Sequence, residues 1–247
     1  MRTLESPARS LVKSVTYRFL GSCATVVVVF IATHEWTISF GTGAMDFVLK
    51  IFLFFFHERL WNRINWGKKD IIPAVIWFTG LSGAGKTTIA QILLSRLRDA
   101  GLSTELLDGD VVRSIFKDSG FSRAERLRHL AGMGFVASEL EKSGTFVIAS
   151  FITPYEEARQ LLRTSCKQFI EVYLSTPLAV CESRDPKGLY VKARAGEIQQ
   201  FTGVSDVFEA PVNPEITIDT SSKSVDETVD LLVAELREKV PSLRQWL

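Results

Sequence analysis

The chain has 247 residues, and its 29 Lys and Arg nearly balance its 28 Asp and Glu, which gives a formal net charge of +1. This balance provides no basic field that would attract nucleic acid, so we expect no nucleic-acid partner. Cys23, Cys166 and Cys181 are far apart in the sequence. Their spacing argues against a zinc site and a disulfide framework and fits a reducing compartment.

Two apolar segments lie near the N-terminus, from about Phe19 to Thr33 and from about Phe40 to Phe56. Each is shorter than the roughly 20 residues that cross a bilayer, although flanking residues could extend both. A signal peptide and buried soluble helices are the alternatives. A second apolar segment follows the first at once, with ATHEW where a cleavage site would lie. We therefore predict an all-α transmembrane hairpin over residues 1–70.

The basic residues of this region predict its orientation. Four Lys or Arg precede the first apolar segment and four follow the second, whereas the intervening loop HEWTISFGTG has none. Positive residues stay on the cytoplasmic side, so both ends of the hairpin are expected inside. This predicts a multi-pass protein of the inner membrane whose second domain, residues 71–247, faces the cytoplasm.

Asp46 and Lys50 lie four residues apart in the second apolar segment and could pair on one helix face. We interpret them as a pair that reaches the headgroups or joins two copies, because one hairpin is too small to enclose a transport pathway. A small transport or assembly site is the alternative. The stretch from RSLVKSVTYRFLG to KIFLFFFHERLWNRINWG resembles a family of bacterial two-helix membrane domains. That resemblance supports the topology and implies no chemistry.

A phosphate-binding loop follows the apolar run AVIWFTG and precedes the helical stretch KTTIAQILLSRLRDA. Residues 80–88 read GLSGAGKTT and match the GxxxxGK[ST] motif in its strand–loop–helix context. Lys86 is expected to reach the β- and γ-phosphates, and the Thr87 hydroxyl to bind Mg²⁺, beside a helix N-terminus that favours anions. We therefore predict ATP and Mg²⁺ as cofactors. The predicted phosphate-binding residues of the loop are Gly80, Ser82, Gly83, Ala84, Gly85, Lys86, Thr87 and Thr88.

Four further strand-like runs, STELLDGD, GTFVIASF, QFIEVYL and PEITIDT, alternate with helical stretches. With AVIWFTG they predict a doubly wound parallel α/β sheet of the P-loop NTPase type. Ligands bind such sheets at the carboxyl ends of the strands, where Asp108, Asp110 and Thr153 fall. The last helix is predicted to begin at Ser224, which forms a capping box with Glu227 three residues on. Its predicted apolar stripe is Val225, Val229, Leu232 and Leu236.

Asp108 and Asp110 flank Gly109 at the end of a predicted strand. In a phosphotransferase one such carboxylate holds the magnesium shell and the other orients or deprotonates the attacking hydroxyl. We assign Asp108 with Thr87 to the metal, while the sequence leaves open which carboxylate acts as the base. The alternative is a tight turn with an Asp as helix N-cap, and Asp110 could be cap and ligand together.

Four longer sequence motifs extend the functional assignment beyond the phosphate loop. LLDGDVVR, GFSRAER, CESRDPKGLYVKARAGEIQQFTG and EAPVNPEITIDT resemble the adenylylsulfate kinase family over about residues 73–240. The resemblance implies transfer of the γ-phosphate of ATP to the 3′-hydroxyl of adenosine 5′-phosphosulfate (APS), which yields 3′-phosphoadenylylsulfate for sulfate assimilation. It implies a P-loop kinase domain over residues 71–247. The implied catalytic residues are Lys86, Asp108, Asp110 and Thr153.

The resemblance also implies how the ligands are held. Phe121 and Phe201 match two rings that clamp the acceptor adenine, an arrangement that binds any base through its π face. Arg184, Lys192 and Arg194 lie in a mobile lid that excludes water, and Arg184 and Arg194 are assigned to ATP. The implied acceptor-binding residues are Arg113, Phe121, Arg126, His129, Ile152, Thr153, Lys187, Gly188, Leu189 and Phe201.

The departures from the family pattern cluster on the acceptor side. His129 replaces an asparagine, and Ala131 and Gly132 replace two arginines, which should weaken binding of a phosphosulfate. Thr153 replaces the serine of the family's FISP segment and keeps a hydroxyl.

Three functional hypotheses follow. We favour a membrane-anchored adenylylsulfate kinase over a related kinase with another nucleotide-like acceptor and over a non-catalytic nucleotide-sensing module. The expected partners are ATP, APS, the bilayer, further copies of the chain, and a membrane sulfotransferase or sulfate transporter.

Overall fold

The structure is a computed structural model in which the chain divides into two compact units, Arg2–Asp70 and Ile71–Leu247. The residues that it describes are 3–5, 8, 12–13, 15–17, 20–21, 24, 31, 39–64, 68–70, 72–115, 120, 122–244 and 246.

The N-terminal unit contains one long helix and one strand pair. Helix α1 spans Ser39–Arg63 and carries the second apolar segment. Strand β1, Thr3–Glu5, pairs antiparallel with strand β2, Lys68–Asp70. This pair departs from the predicted all-helical unit. The first apolar segment lies largely outside the described residues, and among those described no helix has the length and apolar character needed to span a bilayer.

Residues near the start of the N-terminal unit contact the C-terminal half of α1. Lys13 Nζ donates to Glu58 Oε1 at 3.3 Å, and Thr16 Oγ1 lies 3.1 Å from His57 Nε2. The Trp61 indole donates to the same His57 nitrogen at 2.9 Å. The first two of these contacts join residues more than forty positions apart within this unit.

The second unit is built on a five-stranded parallel sheet in the order β4-β5-β3-β6-β7. Its strands are β3 Val75–Thr79, β4 Thr104–Asp108, β5 Phe146–Ser150, β6 Phe169–Leu174 and β7 Ile216–Ile218. Its helices are α2 Lys86–Asp99, α3 Gly109–Ile115, α4 Arg123–Lys142, α5 Glu156–Ser165, α6 Leu178–Arg184, α7 Leu189–Arg194 and α8 Val225–Lys239, followed by a 3₁₀ turn at Pro241–Leu243.

Strand β3 is the central strand, and all of its residues are buried. Ile76 and Phe78 face a core that α2 and α8 cover, while Val75 and Trp77 face a second core beneath α4 and α5. Successive side chains on a strand point to opposite faces, so a strand covered on both sides reads as a continuous apolar run. The predicted doubly wound parallel sheet is confirmed.

Helix α8 shows where the sequence pattern was right and where it was wrong. The predicted capping box is present, with Ser224 accepting from the Glu227 amide and Glu227 accepting from the Ser224 amide. Val229, Leu232 and Leu236 are buried, but Val225 is 43% exposed. Val225 is the first residue of the helix, where the apolar stripe has not yet met the sheet.

Candidate active site

The phosphate loop has a backbone that only glycine accommodates well. Gly83 and Gly85 adopt φ values of 79° and 96°, in the left-handed region. A Cβ on Gly83 would lie 2.8 Å from the Cys181 carbonyl oxygen, and one on Gly80 would lie 2.8 Å from the Leu174 carbonyl oxygen. The loop is therefore shaped both by its dihedral angles and by close packing against the backbone behind it.

Lys86 is the first residue of α2, and its ammonium folds back over the loop. Its Nζ donates to the Gly80 carbonyl at 2.9 Å and to the Leu81 carbonyl at 2.7 Å. Burial lowers the pKa of this ammonium to about 8, so most of it carries a charge at neutral pH. A cation held in this way is available to exchange backbone carbonyls for phosphate oxygens.

A cluster of oxygens lies at the ends of three structural elements. Thr87 Oγ1 donates to Asp108 Oδ2 at 2.8 Å and lies 3.3 Å from Ser150 Oγ. Hydroxyl and carboxylate oxygens are the ligands that magnesium prefers, and magnesium is usually held by one or two carboxylates together with substrate phosphates. The donor set therefore fits a magnesium ion.

Asp108 is also the N-cap of α3. Its Oδ1 accepts from the amides of Asp110 and Val111 at 3.0 and 3.3 Å. The suggestion that Asp110 is the cap is therefore wrong, because the cap belongs to the last residue of β4. The Asp110 carboxylate instead forms an ion pair with Lys187, whose side chain lies just before α7.

A cavity of about 740 Å³ brings most of the predicted site together. The predicted residues that line it are Ser82, Gly83, Gly85, Lys86, Thr87, Thr88, Asp110, Arg113, Arg126, His129, Ile152, Thr153, Arg184, Lys187, Leu189 and Phe201. Gly80, Ala84, Asp108, Gly188 and Arg194 are not in its wall. Phe121 lies outside the described residues, so its half of the predicted clamp stays a prediction.

Arg126 is buried and holds the loop that carries Phe201. Its Nη1 donates to Thr202 Oγ1 at 2.6 Å, and its Nη2 lies 3.8 Å from Asp206. Phe201 in turn packs edge-on against Tyr190, with ring centroids 5.0 Å apart. Arg126 thus borders the cavity while its guanidinium already anchors one side of it.

The His129 side chain lines the cavity. Its Nε2 is buried and has no hydrogen-bond partner in the part of the chain that the structure describes. Burial and the nearby Arg113 cation lower the pKa of His129 below its ordinary value, so the imidazole is neutral at pH 7. Of the three acceptor-side departures, His129 alone is in the cavity wall, since Ala131 and Gly132 are absent from it and Gly132 is exposed.

Thr153 has a strained backbone and a tightly held side chain. Its φ is 46°, which is costly for a β-branched residue. The Trp77 indole donates to its Oγ1 at 2.8 Å, and Arg159 Nη1 donates to its carbonyl at 2.9 Å. Thr79 Oγ1 donates to the preceding Ile152 carbonyl at 2.8 Å. Three side chains therefore hold Thr153 and the carbonyl that precedes it.

The residues of the predicted lid segment differ in whether they reach the cavity. Arg184 donates to Thr220 Oγ1 at 2.9 Å and to the Thr220 carbonyl at 2.6 Å, and it borders the cavity. Arg194 pairs instead with Glu182, at 2.8 and 3.1 Å. Gly188, with φ of 64°, precedes α7 as its N-cap. In this conformation the structure does not bring Arg194 or Gly188 to the cavity.

Among the wall and support residues that sequence reasoning missed are Ser150, Phe151 and Trp77. Ser150 ends β5 beside Thr87, and a polar residue at a strand end was a usable signal. Phe151 lines the cavity and stacks on Trp77, with centroids 4.9 Å apart at 17°. Trp77 lies inside an apolar strand, where nothing in the sequence distinguishes a supporting residue from an ordinary core residue.

Comparison with known proteins agrees with this arrangement. A family model described as Adenylylsulphate kinase matches residues 72–219, and one described as Predicted membrane protein (DUF2061) matches residues 11–62. The adenylyl-sulfate kinase of Vibrio parahaemolyticus is 48% identical over 170 residues, which cover 68% of this chain and 83% of that protein. That of Rippkaea orientalis is 48% identical over 164 residues, covering 66% of this chain and 91% of that protein.

Solved structures give the same result. The APS kinase of Mycobacterium tuberculosis in complex with AMPPNP and APS superimposes with a TM-score of 0.64 and 40% identity, covering 67% of this chain and 98% of that one. A hexameric APS kinase from Thiobacillus denitrificans gives a TM-score of 0.52 and 32% identity, with 68% of this chain matched to 29% of that one. By its family model, its relatives and its fold, the chain belongs to the adenylylsulfate kinase family.

Proposed function

We propose that this protein is an adenylylsulfate kinase, which transfers the γ-phosphate of ATP to the 3′-hydroxyl of APS and releases ADP and 3′-phosphoadenylylsulfate. One observation carries the proposal. Thr87, which is hydrogen-bonded to Asp108, and most of the phosphate loop border the same cavity as Arg113, Arg126 and Phe201. The proposed binding sites for the transferable phosphate and for the acceptor therefore lie in one cavity.

On the ATP side, the loop residues Ser82 to Thr88 offer backbone amides to the phosphates. Lys86 exchanges its hydrogen bonds to Gly80 and Leu81 for contacts with the β- and γ-phosphates. Thr87 and Asp108 would hold Mg²⁺, which when bound neutralises charge on the phosphates. Arg184 lies next to the loop, hydrogen-bonded at 3.4 Å to the Gly83 carbonyl, and would contact the nucleotide.

On the acceptor side, we assign Asp110 to the attacking hydroxyl. As the 3′-oxygen bonds to the γ-phosphorus, the bond from that phosphorus to the ADP oxygen breaks and the hydroxyl proton passes to the Asp110 carboxylate. Lys187, which pairs with Asp110, supplies charge beside the transferred group. Since Asp108 is occupied as the helix cap and partner of Thr87, Asp110 is the better candidate for the base.

The remaining acceptor-side residues are assigned by their place in the wall. Arg113 and His129 border the cavity beside Thr153, and Phe201 offers a ring face to a base. Leu189 borders the cavity at the start of α7, with Gly188 supplying its turn. Arg194 would reach the nucleotide only after release from Glu182, as expected of a lid that moves on closure.

The N-terminal unit is proposed to attach the kinase to the inner membrane as a two-helix hairpin, with both ends and the kinase domain on the cytoplasmic side. Three features support this: the family match over residues 11–62, the two apolar segments, and the basic residues that flank them. Carbonate extraction and protease protection of the full chain in spheroplasts would test it. Release by carbonate would reject membrane insertion.

The hairpin would also recruit other proteins. A membrane sulfotransferase that consumes the product, or a sulfate transporter, are the partners whose chemistry fits. Self-association of the chain is proposed as well, since the related Thiobacillus denitrificans enzyme is hexameric. Cross-linking in intact membranes, followed by size analysis, would separate self-association from binding to another protein.

The decisive assay is ADP release by the purified full chain with ATP and Mg²⁺, with and without APS, beside a Lys86→Ala control. Turnover that requires both APS and Lys86 is expected. Tight ATP binding without APS-dependent turnover would reject the proposed acceptor.

His129 favours one alternative, a kinase for a different nucleotide-like acceptor. Its Nε2, which has no hydrogen-bond partner among the described residues, lies in the cavity wall where the family pattern has an asparagine. An acceptor panel at low concentration, run on the natural chain and on His129→Asn, distinguishes the two. If APS is the best acceptor for both proteins, the alternative is abandoned.

A further inference from the structure

Thr153 is one of the best-restrained residues of the cavity wall. It is 1% exposed, and its φ of 46° places a β-branched residue in a region that such residues rarely occupy. A residue persists in such a conformation only when its surroundings over-determine it, and such residues cluster at functional sites. The surroundings here are hydrogen bonds from Trp77, Thr79 and Arg159.

Two of these donors belong to β3, the strand that leads into the phosphate loop. Trp77 Nε1 donates to Thr153 Oγ1 at 2.8 Å, and Thr79 Oγ1 donates to the Ile152 carbonyl at 2.8 Å. The amide of Gly80, the first loop residue, donates to that same carbonyl at 3.3 Å. Strand β3, which leads into the predicted phosphate loop, thus also holds the hydroxyl of Thr153 on the acceptor side of the cavity.

The hydrogen bond from Trp77 determines which further hydrogen bond the Thr153 hydroxyl can form. An indole N–H is a donor only, so it occupies a lone pair of Thr153 Oγ1 and leaves that oxygen's own proton free to donate. Within the described part of the chain, no acceptor takes that proton. Thr153 borders the cavity, where an anionic substrate oxygen would accept it.

We propose that Trp77 is a positioning residue for phosphoryl transfer: its buried indole N–H holds the Thr153 hydroxyl as a donor directed at an anionic oxygen of the reacting substrates. This rests on the proposed kinase function. Trp77 is fully buried and is not in the cavity wall, whereas Phe151, which stacks on its ring, lines the cavity. Preorganised donors of this kind stabilise charge that develops in the transition state.

The test is a double-mutant cycle on the full chain. Trp77→Phe keeps an aromatic ring to stack on Phe151 but removes the N–H, and Thr153→Val keeps the shape but removes the hydroxyl. Each is expected to lower kcat with APS about 10-fold or more, while the affinity for AMPPNP stays within about 2-fold. The double variant should be no slower than Thr153→Val, because the indole acts only through that hydroxyl.

Two further variants protect the test against a folding defect. Thr153→Ser retains the hydroxyl, so it should remain active and should still lose activity when combined with Trp77→Phe. Site-specific replacement of Trp77 by benzothienylalanine keeps the bicyclic shape without the N–H and should reproduce the loss. Unfolding temperatures identify any variant that is merely destabilised.

The outcomes distinguish failure of the proposed kinase function from failure of the positioning role of Trp77. A natural chain without APS-dependent turnover rejects the proposed function itself. Full activity of Thr153→Val, or full activity of the benzothienylalanine protein, overturns the positioning role while leaving the kinase intact. Losses that multiply in the double variant also overturn it, since they would show that Trp77 acts independently of the Thr153 hydroxyl.

Discussion

The hydroxyl of Thr87 donates a 2.8 Å hydrogen bond to the carboxylate of Asp108, which joins the helix after the phosphate loop to the end of β4. The other oxygen of that carboxylate caps α3. One buried side chain therefore aligns the nucleotide site with the helix that carries Asp110 and Arg113. This geometry requires a hydroxyl at position 87 and a carboxylate at position 108.

Removal of the Thr87 hydroxyl should impair use of magnesium. Thr87→Val is expected to lower kcat by roughly 10- to 100-fold and to raise the Mg²⁺ concentration needed for half-maximal rate, because one proposed oxygen ligand is lost. Mg²⁺ titrations of initial rate measure both effects. Thr87→Ser keeps the hydroxyl and should stay within a few-fold of the natural chain, and an equal loss in both variants would contradict the role.

Asp110 should matter for chemistry and little for stability. Its ion pair with Lys187 is solvent-exposed, and exposed pairs contribute only about 0–1 kcal/mol. Asp110→Asn is therefore expected to leave the unfolding temperature nearly unchanged while lowering kcat about 100-fold or more, as loss of a general base does. Single-turnover rates with APS would show this. Lys187→Ala breaks the same pair and also removes the cation proposed to act beside the transferred group, but it keeps the base, so its loss of kcat should be smaller. Equal defects in both variants would assign Asp110 no separate role.

Nucleotide affinity should fall as the pH rises through about 8. Burial lowers the pKa of Lys86 to about 8, and only its protonated form attracts phosphates. Bound phosphates raise that pKa again, so affinity is fully present below pH 8 and is lost progressively above it. Calorimetric titration with Mg-AMPPNP between pH 6.5 and 9.5 measures the trend. Lys86→Ala should bind weakly and without this dependence, and a flat profile for the natural chain would refute the assignment.

Two glycines in the left-handed region should differ in their tolerance of a methyl group. Gly188→Ala meets no atom within 4 Å and should cost only the dihedral strain of about 1–2 kcal/mol. Gly83→Ala has the same kind of strain and would also place its Cβ 2.8 Å from the Cys181 carbonyl oxygen. It should therefore lose more stability, about 3 kcal/mol or more, as measured by denaturant unfolding. Equal costs would show that the loop relaxes around the added methyl.

The kinase unit should work without the N-terminal unit. A fragment of residues 71–247 retains the sheet, both of its cores and the bond from Ser242 Oγ to the Ile72 carbonyl at 2.7 Å. Its kcat with APS is expected to lie within about 2-fold of the full chain, because the proposed site residues all belong to this unit. A well-folded fragment without activity would show that the N-terminal unit contributes to catalysis.

Sequence patterns were sufficient to predict the parallel sheet, the phosphate loop and the position of Asp108 and Asp110 near that loop. These features depend on local patterns: a buried strand, a glycine-rich turn and a helix start follow one another within about fifteen residues. The capping box at Ser224 was readable for the same reason. Such local patterns can be interpreted without knowing which residues pack against them.

The tertiary structure was needed to assign separate roles to the side chains. It assigned the cap to Asp108, turned Arg126 toward the loop of Thr202, paired Arg194 with Glu182, and set Trp77 behind Thr153. Arg126 and Thr202, like Trp77 and Thr153, are 76 residues apart in the chain. The direction of a side chain and its long-range partner depend on how elements pack, and no local pattern records that packing.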